Sequence, residues 1–418
     1  MQIVIGSTLQ GARGIESSLF KYLPGMTLSG QAFSRASHGT YRDQFGTFRT
    51  AAANVLRDGH YTLDPVTGIY RRSTLLEPQS TNLIPRNRQK FEGWTAYQGA
   101  VVTLTQGQTI PGWTPAGAAT RIRTTGGTSM LKYYWNGAAR GTNHEAVSVV
   151  VQNIGVVPVT VSTYGVGTPV TVQPGETRWV QMATAEADPA LSSRLRFLAP
   201  TAGDSLDILA YAPQVEAAPF CSSPIHDPHA TDGATVSRAD DQLSFPWPHN
   251  WCPMAGFSEF IAGMDDTGGI ALPRILHIGA MDGTHPSFQV RHGPGVIVTV
   301  AYASSVDHTA ASGDADIVVG DRVRVAWALR SDAKVYTAVQ VNTGPILANS
   351  ARDPLSGGIP KAWPKQPWIQ FSGWGVSNRG RHEHLCHYIC RLSSVANQPG
   401  VAPAAKFLAE MAAKAGAP

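Results

Sequence analysis

Short runs of alternating apolar and polar residues, punctuated by Gly, Pro, Asn and Asp, dominate this chain. Val101–Thr105, Ala119–Arg123, Val147–Val151, Val159–Thr163, Thr177–Gln181 and Leu206–Tyr211 form one series. A period of two sends alternate side chains to opposite faces of a sheet, so each run reads as a strand. A second series holds Phe288–Arg291, Val296–Val300, Arg322–Trp327, Val335–Val339 and a last strand from His384 to Arg391. The stretch PIHDPHATDG separates the two series and is built of turn formers. The pattern predicts an all-β protein: two tandem jelly-roll or β-sandwich domains, over residues 91–228 and 236–396, after an irregular N-terminal arm over 1–90. Residues 397–418 read as a linker and one short helix. Pro403 can start that helix, Gly416 can end it, Phe407, Leu408 and Met411 share a face, and Glu410 and Lys414 stand one turn apart.

At 418 residues the chain is too long for a single ordinary core. Charged residues are only 15%, while Gly (42) and Pro (29) are abundant, a balance that suits sheets and turns rather than long helices. A net charge of +4 without any basic run argues against nucleic acid as a partner. No apolar run is long enough for a membrane helix, and the start MQIVIGSTLQGARG does not read as a signal peptide, so no membrane insertion is expected. Four scattered cysteines, Cys221, Cys252, Cys386 and Cys390, do not make a disulfide framework and read as mostly reduced.

Several phrases stand out from this background. Ser34-Arg35-Ala36-Ser37 is followed by Thr40-Tyr41, Asp43 and Gly46, then by Asp64-Pro65-Val66-Thr67-Gly68. Leu75-Leu76-Glu77-Pro78 and Thr81-Asn82-Leu83 come next. Gln214-Val215-Glu216 and Arg238-Ala239-Asp240 close the first strand series, with Phe220-Cys221-Ser222-Ser223-Pro224-Ile225 between them. Together these resemble a modular family of bacteriophage and prophage surface proteins, found in tail fibres, head fibres and minor structural proteins. The resemblance covers roughly the first 245 residues by motif. Phe220 to Ile225 departs from the family's usual threonine-serine phrase. It implies a carbohydrate-binding-module-like jelly roll, then a concanavalin-like lectin sandwich, to which GDRVRVAWALRSDAKVYTAVQVNTG is similar in pattern. It further implies a place on the virion surface, assembly in the bacterial cytoplasm, a homo-oligomer (a trimer by analogy with fibres), and attachment to other virion proteins through the arm. Fold likeness supports function only by analogy.

Candidate chemistry is sparse. The cluster His382, Glu383, His384, Cys386, His387 and Cys390 has zinc-ligand residue types. On a regular strand His382, His384 and Cys386 would share one face, with Glu383 and His387 on the other. Apart from His249 and Cys252, no second pair completes a site, so neither a metal nor another cofactor is expected. Asp240-Asp241, Asp265-Asp266 and Asp314 with Asp316 read as turn, linker or loop residues. No carboxylate pair at a hydrolytic spacing, G-x-S-x-G, Walker loop or H-E-x-x-H occurs, so the chain is not expected to be an enzyme.

Aromatics in turn-rich segments are the better lead, because a flat ring can cover the C–H face of a sugar. The candidate carbohydrate-binding residues are Trp113, Tyr133, Tyr134 and Trp135 in the first sandwich, and Trp363, Trp368 and Trp374 in the second. Trp179 and Trp327 fall inside regular strands and read as core. Two functions stay open: a surface protein that holds host polysaccharide without cutting it, and a purely structural decoration or connector protein. A depolymerase is the third.

Overall fold

The computed structural model of the chain describes residues 15–96, 100–125, 130–135, 145–163, 167–184, 193–201, 203–218, 220–225, 233–250, 252–263, 274–279, 287–293, 296–302, 307–311, 315–350, 359, 367–371, 381–392 and 404–417. Two antiparallel β-sandwiches account for most of them. In the first, one five-stranded sheet runs in the order Thr177–Thr184, Glu145–Asn153, Asp207–Glu216, Ala119–Thr125, Val101–Gln108. Its partner sheet runs Val170–Val172, Val159–Thr163, Ser193–Leu198, Met130–Trp135, Thr95–Ala96. Ile122, Val147, Val149, Val151, Phe197 and Ile208 fill the space between them.

The second sandwich is larger. Its eight-stranded sheet runs Ile346–Ser350, Val335–Val341, Arg322–Leu329, Met254–Ala262, His382–Leu392, Tyr70–Leu76, His60–Leu63, with Ile15–Tyr22 also pairing with His382–Leu392. The facing seven-stranded sheet runs Ala32–Ser34, Gln242–Pro246, Trp368–Phe371, Arg274–Gly279, Ser287–Gly293, Val296–Tyr302, Asp307–Ala311. Trp327 lies at the centre of this core, its ring 4.5 Å from that of Phe288. Gly256 makes room for the indole, since a Cβ there would come within 2.0 Å of it. Across the outer face of the eight-stranded sheet lies the helix Ala404–Ala415, which buries Phe407, Leu408 and Met411. Ala255, Ala326, Ala328 and Ala338 line the strands beneath and let it approach closely.

The all-β architecture with two tandem sandwiches and a short C-terminal helix is as expected. The first ninety residues differ from the irregular arm expected there. Ile15–Tyr22, Ala32–Ser34, His60–Leu63 and Tyr70–Leu76 are built into the sheets of the second sandwich, far downstream in sequence. Ser80–Asn82 pairs with Val236–Arg238, and Gly39–Arg42 with Phe48–Ala51. Most of these strands are only three or four residues long, so a period of two has no length over which to show itself. The strand His382–Leu392, by contrast, is paired along both edges and buried at almost every position, because one face packs into the core and much of the other lies under the C-terminal helix.

The leader, both sandwiches and their connection meet in a buried cluster of charges. Arg35, Arg57, Arg238 and Arg381 surround Glu77, Asp241, Glu216 and Glu383, all of them buried. Arg57 Nη1 lies 2.6 Å from Glu77 Oε2, and its Nη2 pairs with Asp241. Asp241 also takes Arg35 at 3.0 Å, while Glu77 also takes Arg238 at 3.1 Å and Arg381 at 3.0 Å. Glu77 further accepts from the backbone N–H and hydroxyl of Ser223, at 2.7 and 2.6 Å. Glu216 accepts from the backbone N–H and hydroxyl of Ser222 and from the hydroxyl of Ser80. Arg381 donates to the carbonyl of Cys221 at 2.9 Å, which ties the last strand of the second sandwich to the end of the first. Burial alone would raise the Glu77 pKa, but the guanidinium groups of Arg238, Arg57 and Arg381 hold it well below the usual carboxylate range.

The histidine-rich strand is core, and its geometry differs from regular alternation. Glu259 pairs with Cys386 but Phe260 pairs with His384, so Leu385 is an extra residue, a β-bulge. The bulge turns His387 to the core side beside His384 and sends Cys386 to the opposite face, under the helix. His384 Nδ1 and His387 Nε2 are 2.8 Å apart, and His387 Nδ1 lies 2.9 Å from Ser258 Oγ. Both rings stack on Phe371, while His382 and His292 sit 5.7 Å apart beside Phe260. Among the described residues no group of three or more His, Cys, Asp and Glu is placed to hold a metal ion. All four cysteines are buried and unpaired.

Two measurements check this account of the interior. Glu77→Ala would leave Arg57, Arg238 and Arg381 without their shared carboxylate, and removing one partner of a buried ion pair costs about 3–5 kcal/mol. The expected outcome is a loss of that size in denaturant unfolding, and a loss below about 1 kcal/mol, the value of a surface pair, would contradict it.

The histidines set an acid limit. Burial pushes His292 down to about 4 and His387 to about 3, and holds His382 and His384 well below the ordinary value. Their folded pKa values are depressed, so the stability they contribute is complete above the unfolded pKa of about 6.5 and is lost as pH falls below it. Each histidine kept neutral costs about 1.4 kcal/mol per pH unit there. Glu383, held at about 2 against burial by His60 and Arg381, weakens the fold only at lower pH. Unfolding midpoints should therefore drop steeply between about pH 6.5 and 4, and less steeply in His292→Phe. A flat profile across that window would contradict the buried, neutral cluster.

Candidate functional site

The seven-stranded sheet has one unusual face. A cross-strand row runs Ser244, Gln370, His277, Gln289. The rows on either side, Phe245–Ile369–Ile278–Phe288 and Leu243–Phe371–Leu276–Val290, belong to the core. Successive side chains alternate, so the polar row points away from the core. The next row on that outer face is Pro246, Trp368, Gly279, Ser287. Trp368 is half-buried, and the residue across from it, Gly279, has no side chain to crowd its ring.

The row is graded along its length. At the sheet edge Ser244 pairs with Ala32 and Gln242 with Ser34; Ala32 and Ser34 are exposed, Ser244 and Gln242 half-buried. Further in, Gln370 and His277 are 2% exposed and Gln289 is 4% exposed. At the inner end a bulge at Ile275 brings Arg274 opposite Arg291. Both guanidinium groups donate through Nε to Gln289 Oε1, at 2.6 and 2.8 Å, and Gln289 Nε2 donates to Ser287 Oγ at 2.8 Å. These bonds fix the Gln289 amide in one orientation. The Gln370 carbonyl oxygen is buried with no hydrogen-bond partner among the described residues. An unmatched buried acceptor is costly. The described part of the face thus offers hydroxyl, amide, imidazole and guanidinium groups beside the Trp368 indole.

Of the aromatics singled out from sequence, Trp368 stands on this face. Trp363 and Trp374 lie outside the described residues. Trp113 is half-buried, with the Arg42 guanidinium 4.7 Å above its ring, and packs with Phe48 and Ile110 where the Gly39–Ala51 hairpin meets the first sandwich. Tyr133, Tyr134 and Trp135 are not in a loop; they fall inside the strand Met130–Trp135, in register with Leu195, Arg194 and Ser193. Trp179 also packs against Phe48, its ring 5.3 Å away, in the patch joining hairpin and sandwich. Of the described candidates, only Trp368 stands on this face. Sequence reasoning passed over His277, Gln289, Gln370, Arg274 and Arg291, although each is a polar residue inside an apolar run: RILHIG, SFQVRHG and WIQF.

No protein-family model matches the chain, and no curated protein sequence matches it. Among solved structures it is similar to the tandem CBM22 domains of Paenibacillus barcinonensis Xyn10C, at 11% identity and a TM-score of 0.25, over 77% of this chain and 98% of that one. It is similar to domains LG4-5 of the mouse laminin alpha1 chain, at 10% identity and a TM-score of 0.25, over 69% of this chain and 94% of that one. The seed lectin of Lotus tetragonolobus matches at 11% identity and a TM-score of 0.23, over 37% of this chain and 83% of the lectin. These likenesses are distant, and the sandwich architecture rests on the strand pairing itself.

Proposed function

We propose that this chain is a virion-surface protein of a phage or phage-like particle that holds host cell-surface polysaccharide without cleaving it. The observation that carries the binding reading is the polar row on the outer face of the seven-stranded sheet, with Trp368 beside it. An indole covers the apolar face of a sugar ring, while half-buried hydroxyl and amide groups such as those of Ser244 and Gln242 exchange hydrogen bonds with its hydroxyls. At the sheet edge Ala32 and Ser34 are small and exposed.

Hydrolysis would need two carboxylates flanking the bond, one of them with a raised pKa. Four buried carboxylates have the opposite character: Glu77 and Glu383 are depressed, and Asp241 and Glu259 are paired with arginines. The virion setting, the attachment through the N-terminal segment and a homo-oligomeric state belong to the same reading and rest on the phrases between Ser34 and Asp240. A structural connector is the second reading, favoured by the deep burial of Gln370, His277 and Gln289.

Retention on a panel of bacterial surface polysaccharides, with the assembled full-length protein, tests the proposal. The wild type should retain at least one glycan without releasing reducing ends. Trp368→Ala should weaken that retention by about tenfold or more, as loss of an anchoring tryptophan does. No retention of any glycan would overturn the binding reading in favour of the connector. Release of reducing ends would establish the depolymerase instead.

A further inference from the structure

We draw no further inference here: the strongest candidate, the exposed apolar patch of Leu63, Ile69 and Tyr70 at the end of the His60–Leu76 hairpin, beside Arg42 and the turn that carries Phe45, has nothing in the structure to show what covers it.

Discussion

Everything else in this protein depends on the buried meeting of Arg57 with Glu77 and Asp241. These three groups come from the leader and from the segment joining the sandwiches, and none can reach water. Carrying a charge out of water costs several kcal/mol, so each must find its counter-ion in the one geometry that the fold supplies. Around them Arg35, Arg238, Arg381 and Ser223 satisfy the remaining oxygen atoms. Such a cluster adds less net stability than its many bonds suggest. Its contribution is to specify one arrangement, because any displacement of leader or linker strands an ion in an apolar interior.

That arrangement explains why the phrases noticed in the sequence have their particular residues. The arginine of Ser34–Ser37, the glutamate of Leu75–Pro78, the Gln-Val-Glu at 214–216 and the Arg-Ala-Asp-Asp at 238–241 all bring side chains to this one place. In a chain with only 15% charged residues, Arg35, Glu77, Glu216 and Arg238 stand out within those phrases, whereas Arg57, Arg381 and Glu383 lie outside them, and Asp241 reads in sequence as a turn residue although the fold buries it between Arg35 and Arg57. What they pair with was not legible, since the partners lie far apart in sequence. The long alternating runs disclosed both sandwiches for the opposite reason: a strand such as Thr177–Thr184 carries its own period. Ala32–Ser34 carries almost none, and only its pairing with Gln242–Pro246 makes it a strand.

The candidate site divides in the same way. Trp368 was visible as an aromatic in a turn-rich stretch. The polar row beside it depends on cross-strand register, which brings Ser244, Gln370, His277 and Gln289 together from separate strands. A single inserted residue mattered twice: at Ile275 it places Arg274 against Arg291, and at Leu385 it turns His387 into the core. A strict period of two cannot foresee a bulge, because one extra residue reverses every face that follows.

If the buried cluster locks leader, linker and both sandwiches together, the sandwiches cannot unfold one at a time. The direct measurement is scanning calorimetry of the intact chain near neutral pH, comparing calorimetric and van't Hoff enthalpies. A single transition in which the two enthalpies agree is the predicted result. Two resolved transitions, or a van't Hoff enthalpy near half the calorimetric one, would mean that the sandwiches melt independently and would contradict the account.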